Sequence, residues 1–275
     1  MNKIITPDSE TISDDNAKSF YKLISDGTGF DLSPETDILE LSFYNDRSQN
    51  ANKKLLIICE INKKYKVGIK RCMDVPDYHR REKIISEAKD LLAFPNYKML
   101  DIRGIVLHTV KSQQSKIFSG WEDKQILVID FGKNLDRVTL KDLTIGIPLE
   151  KFCINFGKWT AFNYLLGVID RHDRNFLYSF STDEIHSIDN EIYQIANKPV
   201  GSRQIFNPPK KVIKKFLAAG NYEQLSLFLR QGFIEGWDCV IANISNMSIL
   251  NSQEISVLRQ KSSLNSGIIF NKFFA

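Results

Sequence analysis

The sequence predicts an α+β protein with a β-rich first half and a mostly helical second half. Three observations carry this expectation. Short apolar and β-branched runs bounded by turn residues recur between residues 38 and 131. From Leu140 onward the apolar residues fall at helical spacing instead. One strand–turn–strand pattern, 176–180 and 185–188, interrupts the helical half directly after a polar loop. The break falls at Gly132-Lys133-Asn134, dividing the chain into 1–132, with an N-terminal extension, and 133–275.

The elements follow in order. A short helix is expected over 17–24, before the turn Asp26-Gly27-Thr28-Gly29. Strands are expected over 38–44, 55–61 and 65–71, the last two joined by Asn62-Lys63-Lys64 as a hairpin. In 81–94 the residues Ile84, Ile85, Ala88, Leu91 and Leu92 share one helical face, and Pro95 ends the helix. Strands over 104–110 and 125–131 complete the first half. Helices over 149–168, 210–219 and 222–237 make up the second.

Composition narrows the class. With 275 residues, 43% hydrophobic and 25% charged, the chain can enclose a sizeable core. The net charge of +4 is spread over small basic clusters such as Lys63, Lys64 and Lys66, none interleaved with aromatics. Nucleic-acid binding is therefore not expected. Four well-separated cysteines without a C-x-x-C pair argue against a zinc site or a disulfide framework. The polar N-terminus is no signal peptide, and no apolar run reaches membrane-spanning length, so a cytoplasmic location is expected.

The chemistry concentrates in one stretch. A buried helix is expected to end near Gly167, and Asp170-Arg171-His172-Asp173-Arg174-Asn175 follows. A short hairpin then leads to Ile188-Asp189. Phosphoryl transfer to a hydroxyl needs a carboxylate to orient the acceptor and oxygen ligands to hold Mg²⁺ against the phosphates. Asp170 suits the first role; Asn175 and Asp189 suit the second. An Asp-x4-Asn pair is common in turns, and it is the helix–loop–hairpin–Asp context that gives it meaning.

A second constellation lies upstream. Tyr65-Lys66-Val67-Gly68-Ile69-Lys70 resembles the V-A-I-K strand that presents the phosphate-binding lysine in kinases. Glu87, at the edge of the apolar face of the following helix, is the expected partner of Lys70. Asp130-Phe131-Gly132 spells the kinase D-F-G but precedes the catalytic loop, so it is not taken as the metal site. Ile129, Asp130 and Phe131 are read as the hinge, whose backbone would meet the adenine edge.

The order Lys70, Glu87, Asp170-Arg171-His172-x-x-Asn175, Asp189 resembles the HipA-like and phosphatidylinositol-kinase-like branch of the protein-kinase-like superfamily. The motifs cover roughly residues 55–195. The resemblance implies a bilobal kinase fold, with a β-rich N-lobe and a mostly helical C-lobe. It also implies ATP and Mg²⁺ as cofactors, His172 as support for the loop, and Ser/Thr phosphorylation of a protein substrate, with room for a regulatory protein partner. The chain departs from the pattern in two places. No G-x-G-x-x-G precedes Lys70, leaving residues 45–54 to cover the phosphates, and no A-P-E follows Asp189. A small-molecule or phosphoinositide kinase uses the same chemistry, and a nucleotide-binding pseudokinase keeps the fold without turnover.

Overall fold

The computed structural model describes residues 3–6, 14–43, 56–71, 78–94, 99–102, 126–133, 137–143, 146–169, 171–188, 202–217 and 222–274. The fold is α+β. It divides into two compact units, Met1–His79 with Tyr97–Leu135, and Arg80–Asn96 with Asp136–Ala275.

The first unit is a six-stranded sheet backed by a helix. Its elements are β1 (Ile4–Ile5), α1 (Asp14–Thr28), β2 (Leu39–Phe43), β3 (Leu56–Ile61), β4 (Tyr65–Arg71), β5 (Met99–Ile102) and β6 (Ile126–Lys133). The strand order is β1-β2-β3-β4-β6-β5, antiparallel except for β1 against β2. The register stacks apolar residues on one face: Leu41 opposite Cys59, Cys59 opposite Val67, Ile69 opposite Val128. Because side chains alternate, a slip of one residue would turn this whole set away from the core. The apolar stripe of α1, with Phe20, Tyr21, Leu23 and Ile24, covers that face in one buried cluster. The approach is close, since a Cβ at Gly27 would lie 2.6 Å from the Val128 side chain. The β3–β4 hairpin turns through Asn62 and Lys63 at φ 52° and 55°. Asn62 tolerates that left-handed conformation, and its amide donates to Asp37 Oδ1 at 2.7 Å while its carbonyl accepts from Ile38 N at 2.8 Å.

The second unit opens with α2 (Tyr78–Leu91) and continues through β7 (Arg137–Thr139), α3 (Leu149–Leu166), β8 (Phe176–Ser179) and β9 (Glu184–Ser187). It ends with α4 (Ser202–Leu217), α5 (Tyr222–Asn243), α6 (Ser252–Ser262) and α7 (Ser266–Phe274). The small sheet runs β7-β8-β9. Helices α3 and α5 meet across glycines. A Cβ at Gly236 would lie 2.7 Å from Lys158 Cα, and Cβ atoms at Gly157 and Gly232 would collide with the carbonyls of Leu229 and Ile154. No described helix is long and apolar enough to cross a membrane.

Several sequence expectations are corrected. Residues 80–96 were assigned with the first half, yet they pack with the second unit. The reason is their apolar face: Ile84, Ile85, Ala88 and Leu92 belong to the cluster built by α3 and α5. Polar ties reinforce it, because Arg80 grips Glu254 through two bonds of 2.8 and 2.7 Å. Helix α4 starts eight residues before the expected 210 and carries Pro208 and Pro209 inside it. Proline ordinarily ends a helix; here the packing of Ile205 and Phe206 against the core outweighs the local penalty. Helices α6 and α7 were not anticipated. The expected strand 104–110 lies outside the described residues, and β5 comes just before it.

Candidate functional site

The site is built from the end of α3 onward. Gly167 closes that helix at φ 70°, with Val168 N bonding back to Asn163 O at 2.8 Å. Glycine adopts this left-handed cap without a Cβ clash. Lys261 of α6 donates to the carbonyls of Tyr164 and Leu165, both at 3.2 Å, satisfying further acceptors at the same end. Burial pushes the Lys261 ammonium down to about 8.

The chain then folds on itself. Arg171 is buried; its Nε donates to Ile169 O at 2.9 Å, and its Nη1 donates to Ser187 Oγ and Ile188 O, each at 3.0 Å. His172 caps a single 3-10 turn, Asp173–Asn175, by accepting from Arg174 N at Nδ1, 3.2 Å away. Asn175 is 6% exposed, and its N–H donates to His172 O at 3.0 Å. Across the hairpin, Phe176 pairs with Ser187, and one step further Ile188 N donates to Asn175 O at 3.0 Å. Asn175 and the residue immediately before Asp189 are thus tied backbone to backbone. Asp170 and Asp189 themselves lie outside the described residues, as does the segment 45–54 expected to cover the phosphates.

Asn175 offers an amide oxygen, and the sequence puts a carboxylate at Asp189; both are residue types that Mg²⁺ takes. The nearby guanidinium of Arg171 is committed to Ser187 and Ile188. Trp159 braces the hairpin from α3 by donating Nε1–H to Ile185 O at 2.6 Å.

The remaining predicted residues are placed as follows. Lys70 lies on β4, opposite Leu56 and Leu127, and is buried at 7% exposure. The carboxylate that α2 buries is Glu82, at 4% exposure, and not Glu87. Glu87 is only partly buried and accepts from Ser248 Oγ at 3.0 Å. The helical-wheel reading erred because it counted Leu91 as core. Leu91 is 38% exposed, and the buried arc is centred on Ile85 and Leu92 instead.

Ile129, Asp130 and Phe131, read as the hinge, lie within β6, in the strand expected over 125–131. Ile129 is flanked by Gly68 on one side and Met99 on the other. Among the described residues Asp130 and Gly132 pair with β4 alone, and Phe131 is the extra residue of a bulge opposite Lys66 and Val67. Pairing resumes beyond it at Gly132 and Lys133, and a bulge of this kind bends the strand locally.

Two residues of this region were not found from sequence. Lys89 and Ser187 are not singled out by the motifs, yet they are 1% and 0% exposed. The available signal was the i, i+7 spacing of Lys89 from Glu82, which puts both on one face of α2. A cavity of about 280 Å³ lies at the other end of the hairpin, by Glu184, Ile185 and Trp159, away from Asn175.

No protein-family model matches the chain, and no curated protein sequence matches it.

Proposed function

We propose that the chain is an ATP- and Mg²⁺-dependent phosphotransferase, a serine/threonine protein kinase of HipA-like type. The observation that supports this is the Ile188 N–H to Asn175 carbonyl bond, which ties the residue before Asp189 to Asn175 at the base of one hairpin. In this mechanism Asn175 and Asp189 would hold Mg²⁺, which when bound would supply charge neutralisation for the phosphoryl group. Lys70 contributes a fixed positive charge for the phosphates, and its burial on β4 suits a lysine whose rotamer freedom is already restricted. Asp170 accepts or orients the hydroxyl proton of the acceptor. The bonds of Arg171 and the His172 cap hold the loop between Asp170 and Asn175, the kind of preorganisation that favours catalysis.

The test is transfer from labelled ATP with a cell lysate as acceptor, using wild type, Asp170→Asn and Asp173→Asn. General-base assistance is worth about 10² to 10⁴ in rate, so Asp170→Asn should lose labelling on that order while ATP affinity stays unchanged. Asp173→Asn should stay within about tenfold of wild type, or roughly 1.4 kcal/mol. The reverse ranking would sink the assignment of the base. Transfer to a small molecule or lipid, with no labelled protein, would replace the protein substrate. ATP binding without any transfer by the wild type would make the chain a pseudokinase.

A further inference from the structure

Lys89 sits in the last turn of α2, at 1% exposure. Its Nζ donates to the Ser187 carbonyl at 2.9 Å and stands 5.5 Å from the centre of the Trp159 ring. A fully enclosed ammonium is costly, and breaking its contacts costs more. Burial drives its pKa down, Glu82 opposes that shift, Arg171 adds to it, and Asp90 opposes it again. Its helix neighbours Ile85, Ala88 and Leu92 are all core residues, and an apolar side chain would serve that packing without the cost.

What the lysine does that an apolar residue could not is hold one oxygen. Arg171 holds the next two, Ser187 Oγ and Ile188 O. Two cations, one from α2 and one from the loop, therefore grip three oxygens of the two residues that lead into Asp189. The Ile188 N–H is meanwhile given to Asn175 O. Backbone groups on the exit of β9 are fixed on both sides.

We infer that Lys89 is a positioning residue for the metal-binding end of the hairpin, clamping the exit of β9 at Ser187, two residues before Asp189, to α2. The inference rests on the phosphotransferase proposal for the role of Asp189, and it makes the seating of α2 a control on metal binding. Helix α2 is seated at its other end by the Arg80–Glu254 pair and, close to Lys89, by Ser248 on Glu87. Whatever unseats α2 should loosen the β9 exit.

The experiment uses the full chain, with Mn²⁺ as probe. Mn²⁺ affinity is read by electron paramagnetic resonance, and amide exchange is followed over residues 184–192. Residues that orient metal ligands typically change metal affinity about 10- to 100-fold. Lys89→Met should weaken Mn²⁺ binding by at least about tenfold and speed exchange over 184–192, while exchange in α3 is unchanged. Lys89→Arg, which keeps a donor, should recover most of the affinity. If Lys89→Met does not fold, Lys89→Gln is measured against the same thresholds. Unchanged exchange over 184–192 in a folded variant overturns the clamp. Faster exchange with unchanged Mn²⁺ affinity overturns the link from clamp to metal. A wild type that binds no Mn²⁺ fails at the level of the proposed metal site, and is recognised before any variant is made.

Discussion

The two units bury polar groups on different terms. Beneath α1 in the first unit the core is apolar side chains from one face of a regular sheet, and the Tyr21 hydroxyl in that cluster reaches the Asp37 carbonyl at 2.7 Å. Around the β8–β9 hairpin of the second unit, Lys89, Arg171, Asn175, Ser179, His186 and Ser187 are all buried. The first arrangement is held mainly by transfer of apolar surface. The second carries a polar layer that would cost stability if it only filled space. Buried polar groups gathered at one loop and hairpin mark the place where geometry matters more than packing economy.

The comparison can be broken by substitution. The largest effect on stability is expected at Gly232→Ala, where the new Cβ would collide with the Ile154 carbonyl. Backbone cannot yield as a side-chain tip can, so a loss of more than about 3 kcal/mol is expected. Gly146→Ala, with nothing within 4 Å, should stay within about 0.5 kcal/mol. Denaturant titration of both variants checks the contrast; equal stabilities would mean that α3 and α5 are not packed as described.

Next in size is Ile69→Ala, which removes a fully buried side chain from the first unit. Such truncations cost about 2–5 kcal/mol. Since no charge is involved, the loss should be the same at pH 6 and pH 9. A pH-dependent loss would show that the apolar description of this core is incomplete.

The smallest effect sharpens the contrast. Lys261 has a folded pKa near 8, below the ordinary 10.5, because it is buried. Between those values the unfolded chain binds more protons at this site than the folded one, so stability rises with pH across the window. Below about pH 8 the cost of holding the ammonium is fully present. Lys261→Met should abolish a rise of about 1–3 kcal/mol between pH 8 and 10. Thermal melts at pH 7 and pH 10, taken as the difference between variant and wild type, isolate it from the tyrosines. A parallel pH response in both proteins would count against a charged, buried Lys261.

Much of the site's frame was legible because it is local. The end of α3 at Gly167, the polar loop and the following hairpin are set by a left-handed cap, by capping chemistry and by alternation over four residues, all of which act over a few positions. The strand carrying Lys70 was bounded at 65 and 71 for the same reason. The carboxylate on α2 was misjudged because a helical wheel needs to know which neighbours cover it. Leu91 and Ile85 are equally apolar in sequence, and only tertiary contact tells the exposed one from the buried one. Asn251 and Glu254, which form a capping box at the start of α6, were a readable signal that the apolar pattern of that segment was too thin to support.

The sequence by itself determined β2 to β4, α3, α5 and the β8–β9 hairpin, and with them the β-rich and helical halves, since propensity, turn formation and periodicity are short-range. Only the tertiary structure decided that residues 80–96 pack with the helical unit. It alone turned Glu82 inward, and it alone placed Lys89 against Ser187, a residue 98 positions away. Those outcomes depend on desolvation, and the energy of a charge depends on what encloses it rather than on its neighbours along the chain.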